Sequence, residues 1–330
     1  MANVTLKQLR YFDALARTQH FGRAAEDCSV TQPALSMQIQ ELEQGLGVAL
    51  LERTRTGFRL TDLGREFADR SRRILTDVRD LCEWAVHSGT RLAGMLKLGV
   101  IPSVAPYLLP PLLPLLQSAY PDLKLHVRET QTATLLQELI EGKLDVLLLA
   151  LPIKHPDIEE LAVFDDRFLL ALPKSHAMTG NVRATPELIE NERLLLLEEG
   201  HCLRDQALKY CELKKVEGVD TFGASSLATI VEMVAAGYGV TLLPEMSVGV
   251  EVRGRDIGVL RFAAPEPNRT IGLVWRQSSP RRGDFIDLGK LVAAAGETAL
   301  AGALGFAHEI EPATGTARKS KKAVPTSAAS

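Results

Sequence analysis

Two of the chain's four cysteines, Cys202 and Cys211, fall in the stretch Glu199-Gly-His-Cys-Leu-Arg-Asp-Gln-Ala-Leu-Lys-Tyr-Cys. A thiol reacts as its thiolate, and three features favour that form at Cys202. His201 and Arg204 are its neighbours in sequence, and it stands at the start of an expected helix, where free backbone N–H groups and the helix dipole favour an anion. The chemistry on offer is attack on a peroxide to give a sulfenic acid, followed by condensation with a second thiol. Two ordinary cysteines of an α/β core fit the same residues, because a nine-residue spacing is no standard redox motif.

The elements that must position these thiols sharpen the choice. Leu194 to Leu197 read as a buried strand, which Gly200 breaks. Beyond the break, Leu203, Ala207 and Cys211 fall at i, i+4 and i+8, one face of a helix. If 202–211 is helical, nine residues separate the sulfurs by ~13 Å of rise and about two and a half turns, on opposite faces. A disulfide needs Cα atoms within about 7 Å of each other. Either the cysteines never pair, or pairing dismantles the helix and makes a two-state switch.

Composition limits the setting. The 330 residues suffice for two or three domains, and 46% hydrophobic with 24% charged residues is ordinary for a soluble globular chain. The N-terminus has no apolar segment of the secretory kind, and the most apolar runs, 108–116 and 146–152, are too short to span a bilayer. The expected location is the cytoplasm, where disulfides are transient and catalytic or sensory. No Cys/His cluster has zinc spacing, so neither a metal nor a cofactor is expected. A net charge of −3, with seven Lys or Arg against six Asp or Glu in residues 1–60, makes any DNA contact local.

Along the chain, Leu6, Leu9, Phe12, Leu15 and Ala16 predict a helix over 5–17 with Thr5 as N-cap. A short helix from Phe21 to Cys28 follows. A turn at Ser29-Val30 leads to a third helix, about Gln32 to Leu46, with Thr31 as N-cap and Pro33 in its first turn. Helix, tight turn and helix make a helix-turn-helix signature. In the third helix Leu35, Ile39 and Leu42 face inward, while Ser36, Gln38 and Gln40 point out, and Gln and Ser are residue types that read base edges. Arg53-Thr-Arg-Thr-Gly-Phe-Arg59 puts three arginines in seven residues beside a glycine, as a phosphate-gripping wing would. Thr31, Gln32, Pro33, Ser36, Gln40, Arg53 and Arg55 are the expected DNA-facing residues.

Phe21-Gly-Arg-Ala-Ala-Glu, Thr31-Gln-Pro-Ala-Leu-Ser, Leu42-Glu, Leu46-Gly and Leu50-Leu-Glu-Arg together resemble the winged helix-turn-helix of LysR-type transcriptional regulators. By that resemblance Thr61-Asp-Leu-Gly opens a linker helix to about Ser88. Its residues Phe67, Ile74, Leu75, Val78, Leu81 and Val86 give a stripe for antiparallel dimer packing. Cys82 is expected in that stripe and Cys28 in the helix-turn-helix core. Gly89 to Gly94 read as a hinge. Strand 95–101, a helix to 119, strand 123–129, helix 132–141 and strand 144–150 then imply a parallel sheet with helices on both faces. The Pro110-Pro111 pair suits a helix start, with Pro114 near the first turn. Strand 167–172 opens a second α/β unit with a helix at 225–236. Strand 270–276 and a helix from about 283 return to the first.

The expected fold class is therefore α/β: a winged helix-turn-helix (1–60) and linker helix (61–88), then a hinge (89–94). Two α/β subdomains with a cleft between them follow, which resemble the periplasmic-binding-protein-like effector domain of the LysR family. The first comprises 95–166 and 269–300. The second, 167–268, carries the redox cysteines, and 301–330 form a disordered tail.

The cysteine stretch, with Ile101-Pro-Ser-Val-Ala-Pro-Tyr-Leu-Leu-Pro, Glu129-Thr-Gln-Thr and Glu266-Pro-Asn-Arg-Thr-Ile-Gly-Leu-Val, is similar to the hydrogen-peroxide-sensing branch of that family. The resemblance implies a peroxidatic Cys202, a resolving Cys211, and a peroxide pocket of Ser103, Thr132, His201 and Arg269. Arg269 would supply a positive charge for the thiolate and the leaving oxygen. The family more often has Thr at position 103. The implied protein is a non-enzymatic activator of antioxidant genes. Its implied partners are hydrogen peroxide, promoter DNA, RNA polymerase and a glutaredoxin- or thioredoxin-type reductant, and its working form is a homotetramer built as a dimer of dimers, with no membrane role. Two other readings are a LysR-type regulator with a small organic effector in the inter-subdomain cleft, and a thiol peroxidase, which has no need of residues 1–60.

Overall fold

The computed structural model describes residues 4–307 apart from 55–56, 88–90, 177–182, 186–188, 190–191 and 214–218. Helices α1 (Leu6–Thr18), α2 (Phe21–Asp27) and α3 (Gln32–Leu46) form the head, followed by the hairpin β1 (Leu51–Thr54) and β2 (Gly57–Leu60). Thr5 and Gln8 exchange bonds in a capping box that starts α1. The buried faces of the three helices, among them Phe12, Leu15, Leu35, Ile39 and Leu42, make one core with Cys28 and Leu50. The Glu43 carboxylate accepts from the backbone N–H groups of Leu50 (2.7 Å) and Leu51 (3.0 Å), pinning the hairpin to α3.

The linker helix α4 (Asp62–His87) starts on Thr61, whose Oγ1 accepts from Gly64 N at 2.8 Å. A side chain at position 64 would run into the Leu50 carbonyl, so only glycine lets the helix approach the head there. Of the expected stripe, Ile74 and Leu81 are exposed, and Leu75 and Val78 half-buried. Cys82 is exposed on the same helix in this single chain. The Val86 side chain, Ser88 and hinge residues 89–90 lie outside the described residues.

The remaining elements are β3 (Gly94–Val100), α5 (Ala105–Ala119), β4 (Leu123–Glu129), α6 (Thr132–Ile140), β5 (Val146–Leu151), β6 (Ile158–Pro173), β7 (Leu194–Leu197), α7 (Cys202–Leu213), β8 (Val219–Ala224), α8 (Leu227–Ala235), β9 (Thr241–Pro244), α9 (Glu245–Glu251), β10 (Ile257–Arg261), β11 (Asn268–Arg276) and α10 (Arg282–Ala307). They and the head sort into two compact units. One is Met1–Asp166, Glu198–Gln206 and Asn268–Ala299; the other is Arg167–Leu197, Ala207–Pro267 and Leu300–Ser330.

In the first unit β3 pairs in parallel with both β4 and β5, as the alternating pattern predicts, but β11 runs antiparallel to β5, so the sheet is mixed. In the second, β6 pairs antiparallel with β9 and β10, and β7 pairs in parallel with β8.

Other expectations change as well. Helix α5 begins at Ala105 with a proline in its first turn, and Pro110, Pro111 and Pro114 lie in its interior. Burial of Leu108, Leu112 and Leu116 at helical spacing outweighs the backbone bonds those prolines forfeit. Helix α10 continues to Ala307 with Ala303 buried, so the start of the expected disordered tail is helical; residues 308–330 lie outside the described ones. Cys202 groups with the first unit rather than with the subdomain assigned from sequence, because the loop before it packs onto residue 131 of that unit.

A candidate peroxide site at strand ends and a candidate DNA face

One group of polar side chains in the first unit stands where parallel strands end, the usual ligand position of an open α/β sheet. Val100 at the end of β3 faces Glu129 at the end of β4. Ser103 follows the first strand, and Thr132, the first residue of α6, follows the second. Gly200 (φ +94°) lies so close to Gln131 that a Cβ there would come within 2.6 Å of Gln131 Oε1. This contact sets the two residues after Gly200, His201 and Cys202, beside the start of α6. The His201 carbonyl accepts from Arg204 N at 2.9 Å, so α7 begins at Cys202.

Cys202 is a free, half-buried thiol. His201 is 7% exposed, and its Nε2 has no hydrogen-bond partner; the nearest carboxylate oxygen, Glu198 Oε1, is 3.9 Å away. Thr132 Oγ1 is likewise buried and without a partner. Orphaned buried polar atoms are costly and rare, so two on adjoining segments beside a free thiol outline a niche for a small polar molecule.

Arg269, the second residue of β11, is wholly buried. Its Nη1 donates to Ser103 Oγ at 2.8 Å and its Nη2 to the Ser103 carbonyl at 3.0 Å. Its charge has a partner of its own. Asp166 on β6, equally buried, accepts from Nε at 2.9 Å and lies 2.9 Å from Nη2. A guanidinium without side-chain exposure requires such a counter-ion. Asp166 and Gln131 were not singled out from the sequence. The pair Asp165-Asp166 is the only signal there, and it does not say which of the two is buried.

The two cysteines lie on one unbroken helix. Nine residues of helix give about 13 Å of rise, so they cannot bond while it persists. Leu203 and Ala207 on the apolar face are buried, and Tyr210 packs edge-on against Phe262 at 5.1 Å between ring centres. The Cys211 side chain lies outside the described residues. Cys28 is a different kind of thiol: burial pushes its pKa up, partly offset by Arg10, which makes it a poor nucleophile.

On the head, Thr31, Gln32, Pro33 and Gln40 are exposed, and Ser36 and Gln38 half-buried. Thr31 occupies the N-cap position of α3, but its side chain makes no cap bond there. Gln38 is held by Glu41 at 2.5 Å. Met37, more than half exposed on the same helix, was not singled out. Arg53 and Arg59 are exposed on the hairpin, and Arg55 lies outside the described residues. Among the described residues no group of His, Cys, Asp or Glu could hold a metal, and no helix is long and apolar enough to cross a membrane.

Residues 6–65 match the bacterial regulatory helix-turn-helix model of the lysR family, and residues 89–292 match the LysR substrate binding domain. The DNA-binding transcriptional dual regulator OxyR of Escherichia coli K12 is 41% identical over 88% of this chain and 95% of its own length. Full-length OxyR of Pseudomonas aeruginosa, solved as a Cys-to-Asp variant, has a TM-score of 0.69 and 38% identity, covering 88% of this chain and 95% of that one. A Cys-to-Ser variant of Corynebacterium glutamicum OxyR, solved with hydrogen peroxide bound, has a TM-score of 0.65 and 34% identity, covering 91% and 95%.

Proposed function

This chain belongs to the LysR family of transcriptional regulators, in its hydrogen-peroxide-responsive branch, and from that premise we propose that Cys202 and Cys211 are its switch. Hydrogen peroxide occupies the niche beside Cys202. The sulfur attacks one peroxide oxygen, the O–O bond breaks, and the leaving oxygen takes up the thiol's proton, giving a sulfenic acid and water. The Cys211 thiol then displaces the sulfenic oxygen as a second water, leaving a disulfide. That step requires α7 to unwind, because its rise holds the two residues too far apart. The observation that carries this reading is the pair of buried, unpartnered atoms, His201 Nε2 and Thr132 Oγ1, on the two segments that meet at Gly200 and Gln131, with the free thiol of Cys202 next in the chain. Ser103 and Arg269 complete the pocket and stabilise the departing oxygen.

Thr31, Gln32, Pro33, Ser36 and Gln40 read base edges from α3, and Arg53 and Arg55 hold phosphates. The protein acts in the cytoplasm as a homotetramer on promoter DNA with RNA polymerase, is reset by a glutaredoxin- or thioredoxin-type reductant, and is not itself an enzyme. The test is to count free thiols by mass spectrometry before and after stoichiometric peroxide. Cys202 and Cys211 are expected to disappear together while Cys28 and Cys82 persist. A response to peroxide that survives replacement of both cysteines by serine sinks the reading.

A further inference from the structure

Asp166 is the one wholly buried charge of the strand-end cluster to which the proposed chemistry gives no work. We propose that Asp166 is a positioning residue of the peroxide site, one that fixes Arg269 so that Ser103 is held as a hydrogen-bond donor toward the departing oxygen. The proposal rests on the peroxide-sensing reading above.

An arginine side chain reaches its target through several rotatable bonds, so the direction of its guanidinium plane must be set by something else. Here Asp166 Oδ2 accepts from Nε at 2.9 Å and forms an ion pair with Nη2 at the same distance. The Asp166 oxygen anchors one edge of the fork, and the two Ser103 oxygens on the adjoining edge then fix its plane. With that edge fixed, Nη1 arrives at Ser103 Oγ at 2.8 Å and Nη2 at the Ser103 carbonyl at 3.0 Å. A guanidinium only donates, so the Ser103 oxygen must accept from it, and the hydroxyl's own proton is directed elsewhere. The chain of command runs Asp166, Arg269, Ser103.

The charge sum points the same way. Asp166 compensates Arg269, so the pair adds polarity to the pocket without a net charge. In the proposed step the sulfur is oxidised, the peroxide is reduced, and negative charge gathers on the oxygen leaving with the broken O–O bond. A donor already oriented at that oxygen stabilises the transition state without reorganising. Asp166 touches neither sulfur nor peroxide in this scheme; it keeps the donor in place.

The test sets two reagents against the same thiol. Peroxide reduction needs the oriented donor, whereas alkylation of Cys202 by iodoacetamide needs only an accessible thiolate. The full-length Asp166→Asn protein is expected to react about tenfold more slowly with hydrogen peroxide, and within about twofold of the parent with iodoacetamide. Adding Asp166→Asn to Ser103→Ala should slow the peroxide reaction no further, because both act through one hydroxyl. Equal slowing with both reagents, no slowing with peroxide, or losses that multiply in the double variant would overturn the assignment.

Should the single variant fail to fold, Asp166→Glu, which keeps Arg269 and its buried counter-charge but displaces the carboxylate that aims it, decides. Slow peroxide reaction with parental alkylation supports the role, and parental rates with both reagents reduce Asp166 to a structural counter-ion. If the parent's Cys202 does not react with peroxide at all, it is the peroxide-sensing reading that falls, and the variants are not needed to see it.

Discussion

Replacing Asp80 with alanine tests how firmly the linker helix is tied to the effector half of its unit. Asp80, on α4, is 3% exposed and meets Arg276, the last residue of β11, at 2.8 Å. Ser278 Oγ donates to the same carboxylate at 2.8 Å. The remaining Arg276 donors reach the carbonyls of Leu139 (2.9 Å) and Leu144 (2.7 Å). Removing one partner of a buried pair costs about 3–5 kcal/mol, because the other charge stays buried and uncompensated. Arg276 keeps its two carbonyls, which favours the lower end, and the orphaned Ser278 hydroxyl adds ~1 kcal/mol. The expected loss is about 3–4 kcal/mol, a large share of the roughly 5–15 kcal/mol by which domains are stable. Urea unfolding should show the midpoint falling by about 1 M if the slope is near 3 kcal/mol per molar. Hydrogen exchange should show lost protection concentrated in α4. Asp80→Ala with Arg276→Leu should recover most of the stability, since an apolar pair in place of a buried ion pair is close to neutral. A loss below about 1 kcal/mol for the single variant refutes the reasoning, because a pair that cheap to break is a solvated one.

Other outcomes follow from the same geometry. Gly200→Ala forces a side chain into a φ of +94° and against Gln131, so it should cost about 1–3 kcal/mol of local strain and slow Cys202 oxidation; unchanged peroxide kinetics would detach that loop from the site. Arg53→Ala should weaken all DNA sequences about equally and lower the salt slope by roughly one, as a phosphate contact does; a loss of discrimination at one base pair would place Arg53 in a groove instead. Cys211→Ser should leave a sulfenic acid that forms quickly but does not open α7. Peroxide should then raise exchange across 200–214 sharply in the parent and barely in the variant, and an equal rise in both would show that unwinding needs no disulfide.

What the sequence discloses depends on how far apart the cooperating residues stand. The helices of the head declare themselves through apolar spacing, and Leu35, Ile39 and Leu42 are buried as their period demands. Leu194–Leu197 is the expected strand, and the helix with Cys202 at its start and Cys211 nine residues on is where the spacing puts it. The prolines of α5 mislead because local rules count the backbone bonds they forfeit, while the leucine face that outweighs them is tertiary. The first half of β6 is missed for a related reason. Glu159, Asp165 and Asp166 disfavour a strand, yet Trp275 and Arg282 partner the first, Thr270 the second and Arg269 the third. Asp166 meets Arg269 across 103 positions and Asp80 meets Arg276 across 196, and no spacing in the sequence announces either.

That last separation also sets an order of events on the ribosome. The core of the head is assembled from residues between Tyr11 and Ala68, so it can close as soon as the start of α4 has emerged. Asp80 is made soon after, but its partner is 196 residues further on. At about 5–20 residues per second, roughly 10–40 s pass before Arg276 exists to meet it. Through that interval the nascent chain carries a finished head on a linker helix whose Asp80 still waits for Arg276. The head is competent before it is governed, and control arrives only with the last strand of the sheet.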